Sequence, residues 1–270
     1  MKKQTPIISG TLSALTGNLS ILGVLIVCFA LFDATIFQGL ISFLGLNTSQ
    51  QLITAGGINV QQSELIKLIL GTMGVNLVGR IILFGPIFGA ICVYIGRNHT
   101  ENKNSSLYGG LNFALSRYKL LFVPNLLAQL AIQIGMIIII PGVLSWMQFA
   151  FVEPVACLEE EKHVLSRSKR LTKGRRKSIF LIILPWIIFS QVFGIVELYA
   201  ATVGFGATVA ACMVMETLLV CMQLAFFMLY HNRMAILEAK IAARAKKKAE
   251  DEMKSIEESN AVDTGKKADN

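Results

Sequence analysis

Residues 19–46 have the sequence LSILGVLIVCFALFDATIFQGLISFLGL, in which Asp33 is the only charged side chain. A helix needs about 20 mainly apolar residues to cross the roughly 30 Å hydrocarbon core of a bilayer. This run meets that requirement, and it follows Lys2 and Lys3 without a small-residue cleavage site. We therefore predict a retained membrane-spanning helix and not a cleaved signal peptide.

Five further runs meet or approach the same length. They lie at about residues 65–96, 120–140, 143–158, 179–201 and 207–230. Pro141 and Gly142 separate the third and fourth spans; proline cannot continue a helical hydrogen-bond ladder and glycine frees the backbone to turn. The predicted fold class is all-α: a polytopic membrane helix bundle of six transmembrane helices with a Pro-Gly hairpin.

Composition agrees with a membrane location. Of the 270 residues, 54% are hydrophobic and 16% are charged, whereas soluble domains carry about 25% charged residues. The five cysteines lie in apolar runs without CxxC spacing, so neither a disulfide framework nor a zinc site is predicted. The lipid bilayer is the expected partner. No nucleic-acid partner is expected, because no soluble module carries the basic charge.

The distribution of Lys and Arg predicts the orientation. Residues 45–66 contain neither residue type, whereas residues 97–119 contain four, residues 162–177 contain eight and the chain after Tyr230 contains nine. Short loops rich in Lys and Arg stay cytoplasmic. Both termini are therefore predicted to be cytoplasmic, with a cytoplasmic N-terminal segment at 1–18, the membrane domain at 19–232 and a charged helical tail with a disordered end at 233–270.

A cluster of cations precedes the fifth span. Residues 167–177, which we call the basic elbow, contain seven cations: Arg167, Lys169, Arg170, Lys173, Arg175, Arg176 and Lys177. The preceding apolar positions fall near one helical face, which predicts an interfacial helix with that face towards the lipid. Anionic phospholipid headgroups are the expected ligands. The alternative is that these charges only enforce topology. Glu159, Glu160 and Glu161 are candidates to pair with Lys162 and Arg167 or to cap the start of the helix.

Ionisable residues within the predicted spans include Asp33, Arg80, Glu197 and Glu216, which we take as candidates. Such residues are costly in a membrane and are functional candidates by default. An ion pair between Asp33 and Arg80 would be a structural staple, whereas Asp33, Arg80 and Glu216 together would form a proton or substrate pathway. Both interpretations stay open at this point.

Catalytic signatures are missing from the sequence. The histidines, His99, His163 and His231, do not have metal-ligand spacing, and neither a GxSxG motif nor a phosphate-binding glycine loop occurs. We therefore predict a protein that is not an enzyme and has no cofactor or metal.

The order of motifs from residue 109 to residue 190 carries a family resemblance. Ile138-Ile139-Ile140-Pro141-Gly142 is followed by Glu153-Pro154-Val155 and then by an elbow with Leu171-Thr172-Lys173-Gly174. This order resembles the membrane domain found fused to glycerophosphodiester phosphodiesterases and its uncharacterised six-helix relatives. The chain departs from that pattern at Arg175-Arg176, where the family often has an aromatic residue. The resemblance implies a bacterial inner-membrane protein of unassigned biochemistry, and it supplies no catalytic residues.

Two hypotheses follow for function. The first is a non-enzymatic membrane protein that binds anionic lipid through the basic elbow and a membrane-protein partner through the cytoplasmic tail. The second is a small transporter or permease component that uses Asp33, Arg80 and Glu216. A polar cavity joining these three residues favours transport, whereas a sealed bundle with paired charges favours a scaffold.

Overall fold

A computed structural model of the chain describes residues 6–43, 85–136, 138–159 and 162–266. All regular secondary structure in these ranges is helical. The helices are α1 Ile7–Gly17, α2 Leu19–Phe43, α3 Gly85–Thr100, α4 Leu107–Met136, α5 Ile140–Phe149, α6 Val152–Leu158, α7 Val164–Thr172, α8 Arg176–Val203 and α9 Phe205–Lys266.

The described residues include four helical stretches that are long and apolar enough to cross a membrane. They are Leu19–Gly39, Leu107–Met136, Ile140–Leu158 and Phe205–Glu250. Each satisfies the length that a bilayer requires. The all-α, membrane-type character predicted from hydropathy is thus confirmed.

The long helix α9 organises the bundle, because α1, α2, α3 and α8 all pack against it. Its buried residues, among them Leu224 and Phe226, join Leu22 of α2 and Ile91 of α3 in the main apolar core. Beyond this core α9 continues as a helix to Lys266, and its side chains at 238–250 are exposed. Residues 267–270 lie outside the described part of the chain.

The predicted spans correspond to the helices unevenly. The first matches α2, and the third overlaps α4, which begins earlier, at Leu107, and also ends earlier, at Met136. Only the end of the second span falls in α3, and residues 65–84 of it lie outside the described residues. The helix α1 was not predicted; its Gly10 and Ala14 are buried, and it packs against α9.

The fourth predicted span is interrupted and forms two helices, α5 and α6. Pro154 lies in the first turn of α6 and cannot donate a hydrogen bond to the carbonyl of Ala150, so the ladder breaks there. Ser168 of α7 compensates: its hydroxyl accepts the Phe151 N–H at 3.3 Å and donates to the Gln148 carbonyl at 2.9 Å. A side chain from outside the span thus stabilises the break.

A tight turn joins α4 to α5. Ile139 adopts φ 59° and ψ −64°, and the N–H of Ile140 donates to the carbonyl of Ile138 at 2.7 Å. This is the geometry of a classic γ-turn, which is rare and strained. Pro141 then occupies the first turn of α5, where its missing N–H costs nothing.

Candidate functional site

A cavity of about 270 Å³ lies inside the bundle. Seven of the described helices contribute to its wall, namely α2 to α9 with the exception of α7. Its lining residues are Phe29, Gly85, Phe88, Asn125, Gln129, Ile132, Gln133, Met136, Trp146, Glu153, Trp186, Glu216, Leu219, Met222 and Gln223. The described part of the wall combines two carboxylates and four amides with aromatic and aliphatic side chains, which is the usual composition of a ligand site.

Helical periodicity explains how α4 and α9 present their polar groups. Asn125, Gln129 and Gln133 are four residues apart along α4 and so share one face. On α9, Glu216 and Gln223 are seven residues apart and again share a face. The cavity therefore lies between two polar stripes on otherwise apolar helices.

Glu153 enters the cavity from the first turn of α6. The residue is 7% exposed, and the Gln223 side chain hydrogen-bonds its carboxylate. Gly89 of α3 leaves the space that it occupies, because a Cβ built on Gly89 would lie 2.7 Å from the Glu153 Cγ. Glu216 is 1% exposed and lines the same cavity.

Two tryptophans form an aromatic wall. The rings of Trp146 and Trp186 meet edge to face with their centroids 4.9 Å apart. This arrangement is favourable for indoles because the positive edge of one ring meets the negative face of the other. The indole N–H of Trp186 is buried, and no described residue accepts a hydrogen bond from it.

The ionisable residues predicted from the sequence are not all brought together. Glu216 lines the cavity, whereas Asp33 lies one turn beyond Phe29 on α2, is half-buried and is not a lining residue. Arg80 lies outside the described residues, so the predicted pair of Asp33 and Arg80 stays a prediction. Glu197 belongs to α8, and its side chain also lies outside the described part.

The helix of the basic elbow, α7, packs against protein. Its apolar face was predicted to lie against lipid, but Ser168 and Leu171 are 0% and 2% exposed, and α7 contacts α5 and α6. The reason is the break between α5 and α6, whose backbone groups Ser168 binds. The interfacial orientation predicted for this face is therefore wrong.

Glu159 ties the elbow to α9. Its Oε2 accepts a hydrogen bond from Arg167 Nε at 2.6 Å, and its Oε1 accepts one from the Tyr230 hydroxyl at 2.8 Å. We call this arrangement the Glu159 bridge. Of the pairings considered from the sequence, the structure shows that of Glu159 with Arg167, whereas Glu160 and Glu161 lie outside the described residues.

The remaining cations of the basic elbow are more accessible. The exposed members are Lys169, Arg170, Lys173, Arg176 and Lys177, and Arg175 is half-buried. The ammonium group of Lys169 lies 5.1 Å from the centre of the Phe149 ring. Arg167 thus pairs with Glu159 within the protein, whereas the other cations of the basic elbow form a basic surface.

No protein-family model, curated protein or solved structure matches this chain. The resemblance to the membrane domain of glycerophosphodiester phosphodiesterases therefore stays a prediction. Among the described residues, no group of three or more His, Cys, Asp or Glu side chains is placed to hold a metal ion.

Sequence reasoning found part of the cavity. Gln129, Gln133 and Gln223 are polar residues in apolar runs, where glutamine usually forms hydrogen bonds between helices. Glu153 was seen only as part of a motif, and Asn125 was missed. The spacing of four between Asn125, Gln129 and Gln133 was the available signal.

Proposed function

We propose that this protein binds a small solute in the cavity and acts as a transporter or a permease component. The observation that carries the proposal is the presence of two buried carboxylates, Glu153 and Glu216, on one cavity of about 270 Å³. Ionisable side chains inside membrane helices characteristically mark substrate, ion or proton pathways. The proposal assigns no catalytic reaction to the site.

The alternative of a pure scaffold explains the cavity less well. Apolar residues of similar volume often stabilise a core as well as buried charges do, or better, because they avoid the desolvation cost. Amides alone can hold membrane helices together through hydrogen bonds. Two carboxylates beside an open volume therefore support ligand binding over packing.

The proposed setting is the bacterial inner membrane, with six spans, a Pro-Gly hairpin and both termini in the cytoplasm. Contacts at one end of the bundle support this orientation. Gly96 at the end of α3 lies against Phe227, and Glu159 after α6 binds Tyr230. The segments rich in Lys and Arg that follow these residues therefore meet at one end, as the positive-inside rule requires.

Cysteine accessibility tests whether the cavity is open to solutes. Leu219 and Val220 are neighbours on α9, but Leu219 lines the cavity whereas Val220 is fully buried elsewhere. In a background without the native cysteines, we expect Leu219→Cys to react with a small charged methanethiosulfonate reagent in nanodiscs. We expect Val220→Cys to react at least about tenfold more slowly, because a charged reagent does not enter an apolar core.

Equal, negligible reaction at both positions would show a sealed bundle and so support the scaffold hypothesis. The fraction of modified protein after timed exposure, read by intact-protein mass spectrometry, gives the two rates. Full modification of both variants after denaturation shows that each thiol is available.

A second candidate function is anionic-lipid binding by the basic elbow. The observation that favours it is the set of exposed cations at Lys169, Arg170, Lys173, Arg176 and Lys177. Each cation near an anionic surface contributes about 1 kcal/mol of attraction. This function is compatible with solute binding, because the elbow and the cavity use different residues.

The cytoplasmic tail of α9 is the proposed site for a protein partner.

Replacing Arg175, Arg176 and Lys177 by glutamine is expected to weaken phosphatidylglycerol binding by up to about 100-fold. The reason is that each of the three cations contributes about 1 kcal/mol of attraction. The measurement is the ratio of phosphatidylglycerol to phosphatidylethanolamine that the protein retains after purification from mixed bilayers. The matched control neutralises Lys246, Lys247 and Lys248 in the exposed tail. An unchanged ratio in the elbow variant would remove this second function.

A further inference from the structure

Building on the proposed function, we infer that the cavity takes a small uncharged solute that carries several hydroxyl groups and one apolar face. The inference rests on two features of the cavity wall. The first is the set of amides of Asn125, Gln129 and Gln133, which we call the amide column, and the second is the group of aromatic side chains on the same cavity.

The amide column lies on one face of α4 and lines the cavity. Successive members are four residues apart, and so about 6 Å apart along the helix axis. Asn125 is 2% exposed, and no described residue forms a hydrogen bond with its amide or with those of Gln129 and Gln133. Buried polar groups normally find a partner in protein, water or ligand. The column therefore needs partners that the described part of the bundle does not supply.

The carboxylates of the cavity already have partners within the protein. The Gln223 side chain hydrogen-bonds the carboxylate of Glu153, and Glu216 is also engaged in a polar interaction. None of the described lining residues is Lys, Arg or His. The groups that remain for a ligand are neutral amides, which favour an uncharged solute over an anion or a cation.

Hydroxyl groups match the hydrogen-bonding capacity of the amide column. A primary amide donates through its NH₂ group and accepts through its carbonyl oxygen, and a hydroxyl group also both donates and accepts. An ammonium group only donates, and a carboxylate only accepts. A solute with hydroxyl groups on successive carbon atoms can therefore pair with both ends of the amides, which a single charged group cannot do.

The aromatic side chains suit a solute with one apolar face. Trp146 and Trp186 line the cavity with ring centroids 4.9 Å apart, and Phe29 and Phe88 add a second pair at the same separation. Aromatic rings offer a large apolar surface, against which the C–H groups on one side of a sugar ring can pack. The volume of about 270 Å³ sits near the lower end of ligand pockets, which run from about 300 to 1,000 Å³, and so sets a small solute size.

Protection of the Leu219→Cys thiol tests the inference with ring compounds of similar size. Glucose is uncharged and carries several hydroxyl groups. At the same carbon atom, 6-amino-6-deoxyglucose has an ammonium group and glucuronate has a carboxylate, whereas cyclohexanol keeps a six-membered ring with a single hydroxyl group. We expect glucose at tens of millimolar to slow thiol modification at least threefold, and each of the other compounds to protect severalfold less.

Removing single amides tests the role of the column. Gln129→Met and Gln133→Met, each in the Leu219→Cys background, keep the length of the side chain but lose its hydrogen bonds. Each is expected to weaken protection by glucose severalfold. Gln148→Met is the matched control, because Gln148 of α5 is also half-buried but does not belong to the described lining residues. This variant is expected to retain full protection.

If the Leu219→Cys thiol reacts but a charged sugar or cyclohexanol protects as well as glucose, or no probe protects, the inference falls and the proposed function stands. Full protection in both Gln129→Met and Gln133→Met would also overturn it. If the thiol does not react faster than that of Val220→Cys, the proposed function itself falls. The comparison of probes on the Leu219→Cys protein decides the matter even if a methionine variant fails to fold.

Discussion

Replacing Gly142 by alanine is expected to lower the free energy of unfolding by about 2–3 kcal/mol, the cost of overpacking a tight contact. A Cβ on Gly142 would lie 2.5 Å from the Met136 N and 2.6 Å from its Cα. These are backbone atoms, so no rotamer change relieves the clash and α4 must move away from α5. Small residues that let helix backbones approach closely are typical of membrane helix contacts.

Replacing Gly135 by alanine is expected to lower the free energy of unfolding in the same way, because a Cβ added at Gly135 would lie 2.7 Å from the Gly142 Cα. Gly23 supplies a matched control in α2, because a Cβ there meets nothing within 4 Å. Alanine at position 23 is expected to stabilise by up to about 1 kcal/mol through helix propensity alone. The unfolding midpoint of the purified protein in detergent measures both changes. Equal shifts for Gly142→Ala and Gly23→Ala would contradict the close approach of α4 and α5.

Hydropathy predicted these helices because the length and apolar composition that a membrane span needs are properties of the segment alone. A helix of about 20 apolar residues crosses the hydrocarbon core and pairs its own backbone hydrogen-bonding groups, independently of the neighbouring helices. This is why α2 and the membrane part of α9 could be located from the sequence. The turn was predicted at Pro141-Gly142 but lies just before it, at Ile138 and Ile139, because proline fits the first turn of the helix that follows.

The break between α5 and α6 was not predictable in the same way. Pro154 weakens the helix, but many membrane helices tolerate proline when another group takes over the free backbone atoms. Here Ser168, from a different helix, binds the Phe151 N–H and the Gln148 carbonyl. The same contact explains why the amphipathic pattern of α7 predicted a lipid-facing surface where the structure has a protein interface.

The residues of the cavity were also only partly predictable from the sequence, because helix packing decides which of them meet. Glu216 was identified as an ionisable residue in a span, which is a local property. Its neighbour Glu153 comes from a helix more than fifty residues earlier, and only the packing of α6 against α3 and α4 brings it to the same wall. Asp33 satisfied the same sequence criterion as Glu216 but does not line the cavity. Sequence supplies candidates, and helix packing selects among them.

Removing the carboxylate of the Glu159 bridge is the second change with a large expected effect. Glu159→Ala is expected to lower the free energy of unfolding by about 2 kcal/mol, since it leaves a half-buried guanidinium and a hydroxyl without their acceptor. The side chains of Arg167 and Glu159 are 26% and 12% exposed, so water replaces the lost contacts only in part. The unfolding midpoint in detergent is again the measurement.

Glu101 provides the exposed counterpart. It accepts hydrogen bonds from Lys103 and Arg97, which hold the pKa of its carboxyl below the ordinary value. The Arg97 and Glu101 side chains are nevertheless 46% and 36% exposed, and such surface pairs contribute about 0–1 kcal/mol. Glu101→Ala is therefore expected to cost less than half as much as Glu159→Ala. Equal losses would show that the Glu159 bridge is no stronger than a surface contact.

A double-mutant cycle separates the two halves of the bridge. Tyr230→Phe removes only the hydroxyl that donates to Glu159 at 2.8 Å, and it is expected to cost about 1 kcal/mol. If both donors act through the same carboxylate, Tyr230→Phe costs little further in the Glu159→Ala background, because its partner is already absent. Additive losses would mean that Tyr230 stabilises α9 by packing against Phe151 instead, with their ring centroids 5.9 Å apart. Strong coupling would make Glu159 the group that holds the basic elbow against α9.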